Sequence, residues 1–193
     1  DVTKIDGRQA IIMEHIKGRT LGDILMDNRD QGEKYMEISV ELQRRIHQVV
    51  AHSLEPMSDK LTRQIEAAHR LDANQQSVLI NRLQGMVFEK KLCHGDFHLF
   101  NLILTDHGVT MIDWVDASSG DIRADVYRTY LLYSQFSEEL AEMYLRLYCE
   151  KSSLLKEEIV QWAPLIAGAR LSEAVSSENE ERLIDIVNRS MPS

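Results

Sequence analysis

The chain is poor in the features that most functional classes need. Its two cysteines, Cys93 and Cys149, lie far apart, which argues against a disulfide framework and for a reducing compartment. Basic residues number 22 against 31 acids, and a net charge of −9 leaves no basic footprint for a nucleic acid. No apolar run is long enough to span a bilayer and no signal-peptide pattern is present, so the expected setting is the cytoplasm, away from membranes. Internal repeats and low-complexity tracts are absent. So is any Gly-x-Gly-x-x-Gly loop or Val-Ala-x-Lys-like strand. What remains is ordinary: 193 residues, 44% hydrophobic and 27% charged, enough for one domain with a sizeable core.

Against that plain background one stretch stands out, His94-Gly95-Asp96-Phe97-His98-Leu99-Phe100-Asn101. Short apolar runs flank it, Lys91-Leu92-Cys93 before and Leu102-Ile103-Leu104 after. The turn Asp106-His107-Gly108 and a second run, Val109 to Ile112, lead to Asp113-Trp114. Turn formers between two β-rich runs predict a hairpin. Asp96 and Asn101 then lie on the loop entering it, and Asp113 lies where its second strand ends. Two carboxylates and a side-chain carbonyl are expected to converge. Hard oxygen ligands of this kind suit Mg²⁺, which is usually held by one or two carboxylates together with substrate phosphates. The interval from Asp96 to Asn101 equals that of the protein-kinase catalytic loop, where an Asp takes the hydroxyl proton and an Asn binds metal.

The stretch resembles more closely the aminoglycoside phosphotransferase and choline kinase superfamily, which writes the loop as H-G-D-x-H-x-x-N and the later acid as I-D-W. Here the two read HGDFHLFN and, at 112–114, IDW. The resemblance implies an ATP- and Mg²⁺-dependent transfer of phosphate to a hydroxyl of a small molecule. It implies Asp96 as the catalytic base and His98 as a contact to the transferred phosphate. Asn101 and Asp113 would be the metal ligands, with Glu14, His15 and Ile16 at an adenine-binding hinge. His94 and Asp125 would support the loop, Asp125 through backbone N–H groups. One departure is visible: Leu99-Phe100 stands where many relatives have Pro-Gly. The implied fold is α+β and mostly helical, the C-terminal lobe of a protein-kinase-like structure. Residues 1–17 would be a remnant of the N-lobe sheet and hinge, and 18–193 the helical lobe with the catalytic β-hairpin. Without the glycine-rich loop and its lysine, this stretch alone is expected to be weak or inactive.

Taken singly, these residues have blander readings as turn formers and structural histidines. Two further functions compete: a non-catalytic binding module derived from a kinase, and a metal hydrolase built on His94, Asp96, His98, His107 and Asp113. Zinc chemistry needs imidazoles from several strands, whereas His107 is expected in an exposed turn.

The rest of the chain reads as scaffold. Residues 1–16 predict a hairpin, with strands at Val2 to Ile5 and Gln9 to Glu14. Thr20 caps a short helix. Apolar spacing predicts helices over 33–53, 58–71 and 74–89, with His47 packed inside the first. Asp121 caps a helix running through Phe136. Three more follow, at 138–150, 154–174 and 178–188, the middle one kinked or restarted by Pro164. Asp116 reads as a turn residue, or as an acid near the metal. In relatives the last helices build the acceptor pocket. Glu138, Glu139, Glu142, Glu173, Glu178, Glu180 and Glu181 could then attract a cationic acceptor, unless they form only a solvated face.

Overall fold

A computed structural model describes residues 1–191. The leading hairpin is present, as strands β1 (Val2–Ile5) and β2 (Arg8–Ile11). Among the described residues they pair only with each other, and Val2, Ile5, Ile11, Ile12 and Met13 are exposed. The second strand stops at Ile11, short of the expected Glu14, because no third strand satisfies the backbone beyond it.

Strand β3 (Arg19–Thr20) is a finding, since two residues carry no readable alternation. It pairs antiparallel with β5 (Leu102–Thr105), which pairs in turn with β6 (Gly108–Met111). Gly18 permits this approach: a Cβ there would sit 2.1 Å from the Leu104 carbonyl oxygen. Thr20 then starts helix α1 (Leu21–Asp27), its Oγ1 accepting the Asp23 N–H at 3.0 Å.

Helix α2 (Gly32–Ile46) ends before the expected 53. After Ile46 the chain bends so that the Val49 carbonyl accepts Leu92 N–H at 2.8 Å and Ala51 N–H donates to Lys90 O. That lays residues 49–51 along β4 (Lys91–Cys93), and the new backbone bonds compensate for the lost helical turn. Between them come α3 (Met57–Ala67) and α4 (Ala73–Gln84), the latter opened by a reciprocal cap between Asp72 and Gln75. β4 pairs with β7 (Ser118–Gly120), another strand too short to read from sequence.

Helix α5 (Ile122–Phe136) starts on the Asp121 carboxylate, which accepts Arg123 N–H at 2.8 Å. α6 (Glu138–Ser152) follows, capped by Ser137. The expected helix over 154–174 divides into α7 (Lys156–Val160) and α8 (Ala163–Arg170), with Pro164 in the first turn of α8, where its missing N–H costs nothing. α9 (Glu180–Asn188) closes the described chain. α5 lies against α6, α2 against α6, and α8 against both α3 and α9. Trp162, Tyr144, Tyr148 and Phe97 are fully buried where these helices meet, each large apolar side chain contributing about 2 kcal/mol. No helix among the described residues is long and apolar enough to cross a membrane. The result is a mostly helical body with the loop 94–101 and the β5–β6 hairpin at its surface, as the sequence predicts.

Candidate active site

The loop 94–101 runs from β4 into β5, and its shape is fixed from both sides. Gly95 has φ +82, and a Cβ there would sit 2.4 Å from the Asp116 carbonyl oxygen. A side chain is excluded both by conformation and by contact. The Gly95 N–H donates to Asp125 Oδ1 at 2.7 Å, and its carbonyl accepts from Arg128 Nε at 3.1 Å. Further along, Leu99 N–H donates to the Tyr133 hydroxyl at 3.1 Å. Three residues of one helix, α5, therefore hold three backbone groups of the loop. The Leu99-Phe100 pair occupies a 3₁₀ turn with Asn101, so the loop is compact without the proline and glycine of its relatives.

His94 is fully buried. Its Nε2 lies 3.0 Å from the Ile112 carbonyl and its Nδ1 accepts Asp96 N–H at 3.3 Å, a pattern that fits the Nε2–H tautomer. The ring thus ties the start of the loop to the residue preceding Asp113. From the other end, Ile112 N–H donates to the Asn101 carbonyl at 3.0 Å. Asn101 and Asp113 are consequently brought to the same end of the hairpin, as expected. His107 lies in the exposed turn at the opposite end.

The side chains follow from this frame. Asn101 Nδ2 donates to both the carbonyl and Oδ2 of Asp96, at 2.9 and 3.1 Å. His98 Nε2 lies 3.5 Å from the same Oδ2, while its Nδ1 is buried without a partner among the described residues. Partial burial pushes the Asp96 carboxyl up, but His98, through a hydrogen bond and its charge, then the Arg128 charge and the Asn101 amide, outweigh it. The net shift is downward, so Asp96 is ionised at neutral pH.

Asp113 is exposed and has no hydrogen-bond partner among the described residues. Its backbone is left-handed, φ 62 and ψ 63, a conformation that is rare outside glycine and that concentrates at functional sites. With the amide nitrogen of Asn101 spent on Asp96, its Oδ1 is left to face a ligand. One amide oxygen and one carboxylate, both hard donors without internal partners, fit Mg²⁺ well.

Behind the loop lies a network that sequence reasoning saw only in part. The Asp125 carboxylate, besides holding Gly95, accepts Gln43 Nε2 at 3.0 Å and lies 2.9 Å from His47 Nε2. His47 Nδ1 is 2.6 Å from the Tyr148 hydroxyl, and Tyr144 donates to Gln43 Oε1 at 2.5 Å. Complete burial pushes the Asp125 carboxyl up, yet the His47 bond and charge, Gln43 and the Gly95 N–H bring it down to about 2. His47 is therefore a partner of the loop's buried acid, more than a packing residue. The signal was there: Gln43 and His47 stand four apart on the inner side of α2 and its C-terminal cap, where two polar side chains need a buried partner. Arg128, Lys60 and Tyr133 gave no local signal. Asp116 is held by Lys60, whose Nζ donates to its carbonyl and Oδ1, both at 2.7 Å, which accords with the turn reading.

No three of the residues of the hydrolase alternative come within reach of a common ion. Among the described residues, the one set of three or more His, Cys, Asp and Glu within reach of a common ion is His47, Cys93 and Asp125. Both imidazole nitrogens and both carboxylate oxygens there are already bonded, and burial with the Asp125 charge pushes the Cys93 thiol up. That cluster is a hydrogen-bonded core. Glu14 and His15 are exposed and Ile16 half-buried, on a segment without regular structure, with no side-chain contact among them recorded by a hydrogen bond.

Comparison with known proteins bears on the family and the fold. A model of the phosphotransferase enzyme family matches residues 2–163. No curated protein sequence matches the chain. Among solved structures, the choline kinase LicA from Streptococcus pneumoniae is similar at 18% identity and a TM-score of 0.58, covering 90% of this chain and 67% of its own. LicA in complex with AMP gives 16% and 0.59, covering 94% and 68%. The ADP-bound aminoglycoside phosphotransferase APH(2'')-Ib gives 16% and 0.54, covering 97% and 72%. At such identities the likeness is one of fold.

Proposed function

The chain belongs to the phosphotransferase enzyme family, and from that premise we propose that its loop and hairpin serve transfer of the ATP γ-phosphate to a hydroxyl of a small molecule. The observation that carries the reading is the joint placement of an ionised Asp96, its orienting Asn101 amide, and an unpartnered, left-handed Asp113 at one end of the hairpin.

Asp96 is the base. As the acceptor oxygen bonds to the γ-phosphorus, the bond from that phosphorus to the bridging oxygen breaks, ADP leaves, and the hydroxyl proton passes to the Asp96 carboxylate. Asn101 Nδ2 fixes the carboxylate's orientation, so little reorganisation is needed at that moment. His98, whose Nε2 lies 3.5 Å from Asp96 Oδ2, is proposed to contact the transferred phosphate. Asn101 Oδ1 and the Asp113 carboxylate would hold Mg²⁺, which when bound neutralises charge on the phosphate oxygens. The backbone of Glu14, His15 and Ile16 is proposed to meet the adenine, with residues 1–17 forming the nucleotide-side edge and 18–193 the lobe that carries the loop and receives the acceptor. The neighbouring enzymes are named for choline and aminoglycosides, which supports a small alcohol as the proposed acceptor.

Calorimetric titration of Mg²⁺–ATP into the full-length gene product tests the reading. Binding in the wild type and at least tenfold weaker binding in Asp113→Ala are expected. Equal binding by both proteins would overturn the metal role of Asp113.

A further inference from the structure

Between His98 and Asn101 the loop is clamped from two directions. The first clamp is Tyr133, buried on α5. Its hydroxyl accepts the Leu99 N–H at 3.1 Å, and the bond is buried, so no water replaces that acceptor. Leu99 opens the 3₁₀ turn Leu99–Asn101, where the first N–H has no partner inside the turn. The second clamp is Gly22, buried in the first turn of α1. A Cβ there would lie 2.6 Å from Cδ1 of Phe100 and 2.7 Å from Cγ, so the ring stands directly on the glycine. The same ring meets the His98 imidazole edge-on, with centroids 6.2 Å apart.

The turn held in this way ends in Asn101. The Asn101 N–H donates to the His98 carbonyl at 2.9 Å, and its side-chain amide donates to Asp96. Leu99 and Phe100 are thus the residues whose placement sets where Asn101 begins. The clamps also match the departure from Pro-Gly. A proline at 99 would have no N–H for Tyr133 to accept, and a glycine at 100 would have no ring to seat on Gly22.

We propose, resting on the phosphotransferase reading, that Tyr133 and Gly22 are positioning residues for Asn101. They fix the Leu99-Phe100 turn so that the Asn101 amide can hold Asp96 through its nitrogen and a metal ion through its oxygen. Each acts through one loop residue: Tyr133 through the Leu99 N–H, Gly22 through the Phe100 ring.

Two readouts on the full-length protein test this. One is hydrogen exchange at the Asn101 amide, which needs no ligand and is compared with amides of α6 that report global opening. The other is calorimetric affinity for Mg²⁺–ADP. Tyr133→Phe keeps the buried ring but leaves the Leu99 N–H unpaired, so Asn101 exchange should quicken roughly tenfold and ADP binding weaken roughly fivefold. In a Leu99→Pro background the N–H is gone, and the same change should alter both by less than about twofold. Proline suits position 99, because His98 before it is extended, at φ −152 and ψ 168, and the position opens a turn. Gly22→Ala should have the same two effects, although alanine suits a helix better than glycine. It should lose them once Phe100→Ala removes the ring. Unchanged exchange at Asn101 in Tyr133→Phe or in Gly22→Ala overturns the assignment, whether or not a paired variant folds. So do effects that persist undiminished in the Leu99→Pro and Phe100→Ala backgrounds, or quicker exchange with undisturbed ADP binding. If the unaltered protein binds no nucleotide, the phosphotransferase reading is what fails, and the two clamps stand or fall on exchange alone.

Discussion

The Asp125 carboxylate on α5 accepts the backbone N–H of Gly95 at 2.7 Å, so an acid thirty residues downstream holds the loop that presents Asp96. The same carboxylate is held by Gln43 of α2 and by His47, the residue that follows that helix. Loop position and helix packing are therefore one arrangement.

Replacing that acid removes the charge on which three partners depend. Asp125→Asn is expected to lower unfolding stability by about 3 kcal/mol, as for other broken buried charge pairs. Urea denaturation followed by circular dichroism measures it. A loss below one third of that value would show that the network contributes little.

The same group sets an acid limb. The folded value near 2 lies below the ordinary 3.8, so protons bind the unfolded chain more readily as pH falls. The stabilisation is complete above pH 3.8 and is lost on the way down to about 2, amounting to about 2 kcal/mol in all. Asp125→Asn should lack this part of the pH dependence. Parallel stability curves for the two proteins between pH 4 and pH 2 would contradict the assignment.

Asp113 separates stability from function. Its left-handed backbone is unfavourable for any residue with a Cβ, and its side chain holds nothing in the fold. Asp113→Gly should unfold at the same urea concentration or a higher one, gaining up to about 1 kcal/mol. Mg²⁺–nucleotide binding should fall at least tenfold in the same variant. A clear loss of stability would mean that the carboxylate has a structural partner.

For Asp96 the expectation is kinetic. Asp96→Asn keeps the shape of the side chain but removes the proton acceptor, so turnover should fall by roughly a hundredfold or more. Nucleotide affinity should stay within a factor of about three, within the scatter expected for a group that makes no ground-state contact to nucleotide. Matched losses in both would move Asp96 from base to binding group.

The legible part of this protein was local. HGDFHLFN, IDW and the turn between them are contiguous, and the helix starts at Thr20 and Asp121 are written within three residues. The illegible part depends on partners far along the chain. β3 and β7 are two and three residues long and exist only because β5 and β4 offer them edges. Gln43 and His47 face an acid 82 and 78 residues away, so their four-residue spacing signals a buried partner without naming it. The glutamates of the last helices read as a lure for cations, but Glu173 and Glu178 are paired with the nearby Arg170 and, for Glu173, with Arg128 from the distant α5. The end of α2 was overrun because periodicity continued through Val49 and Val50, while the backbone there was claimed by β4.

Strand β3 stitches the segment leaving the leading hairpin onto the sheet whose far rim carries Asn101 and Asp113. Among the described residues, Arg19 and Thr20 are the strand that joins residues 1–17 to that sheet. Gly18 is the tightest point of that linkage, and any side chain there would press on the Leu104 carbonyl of β5.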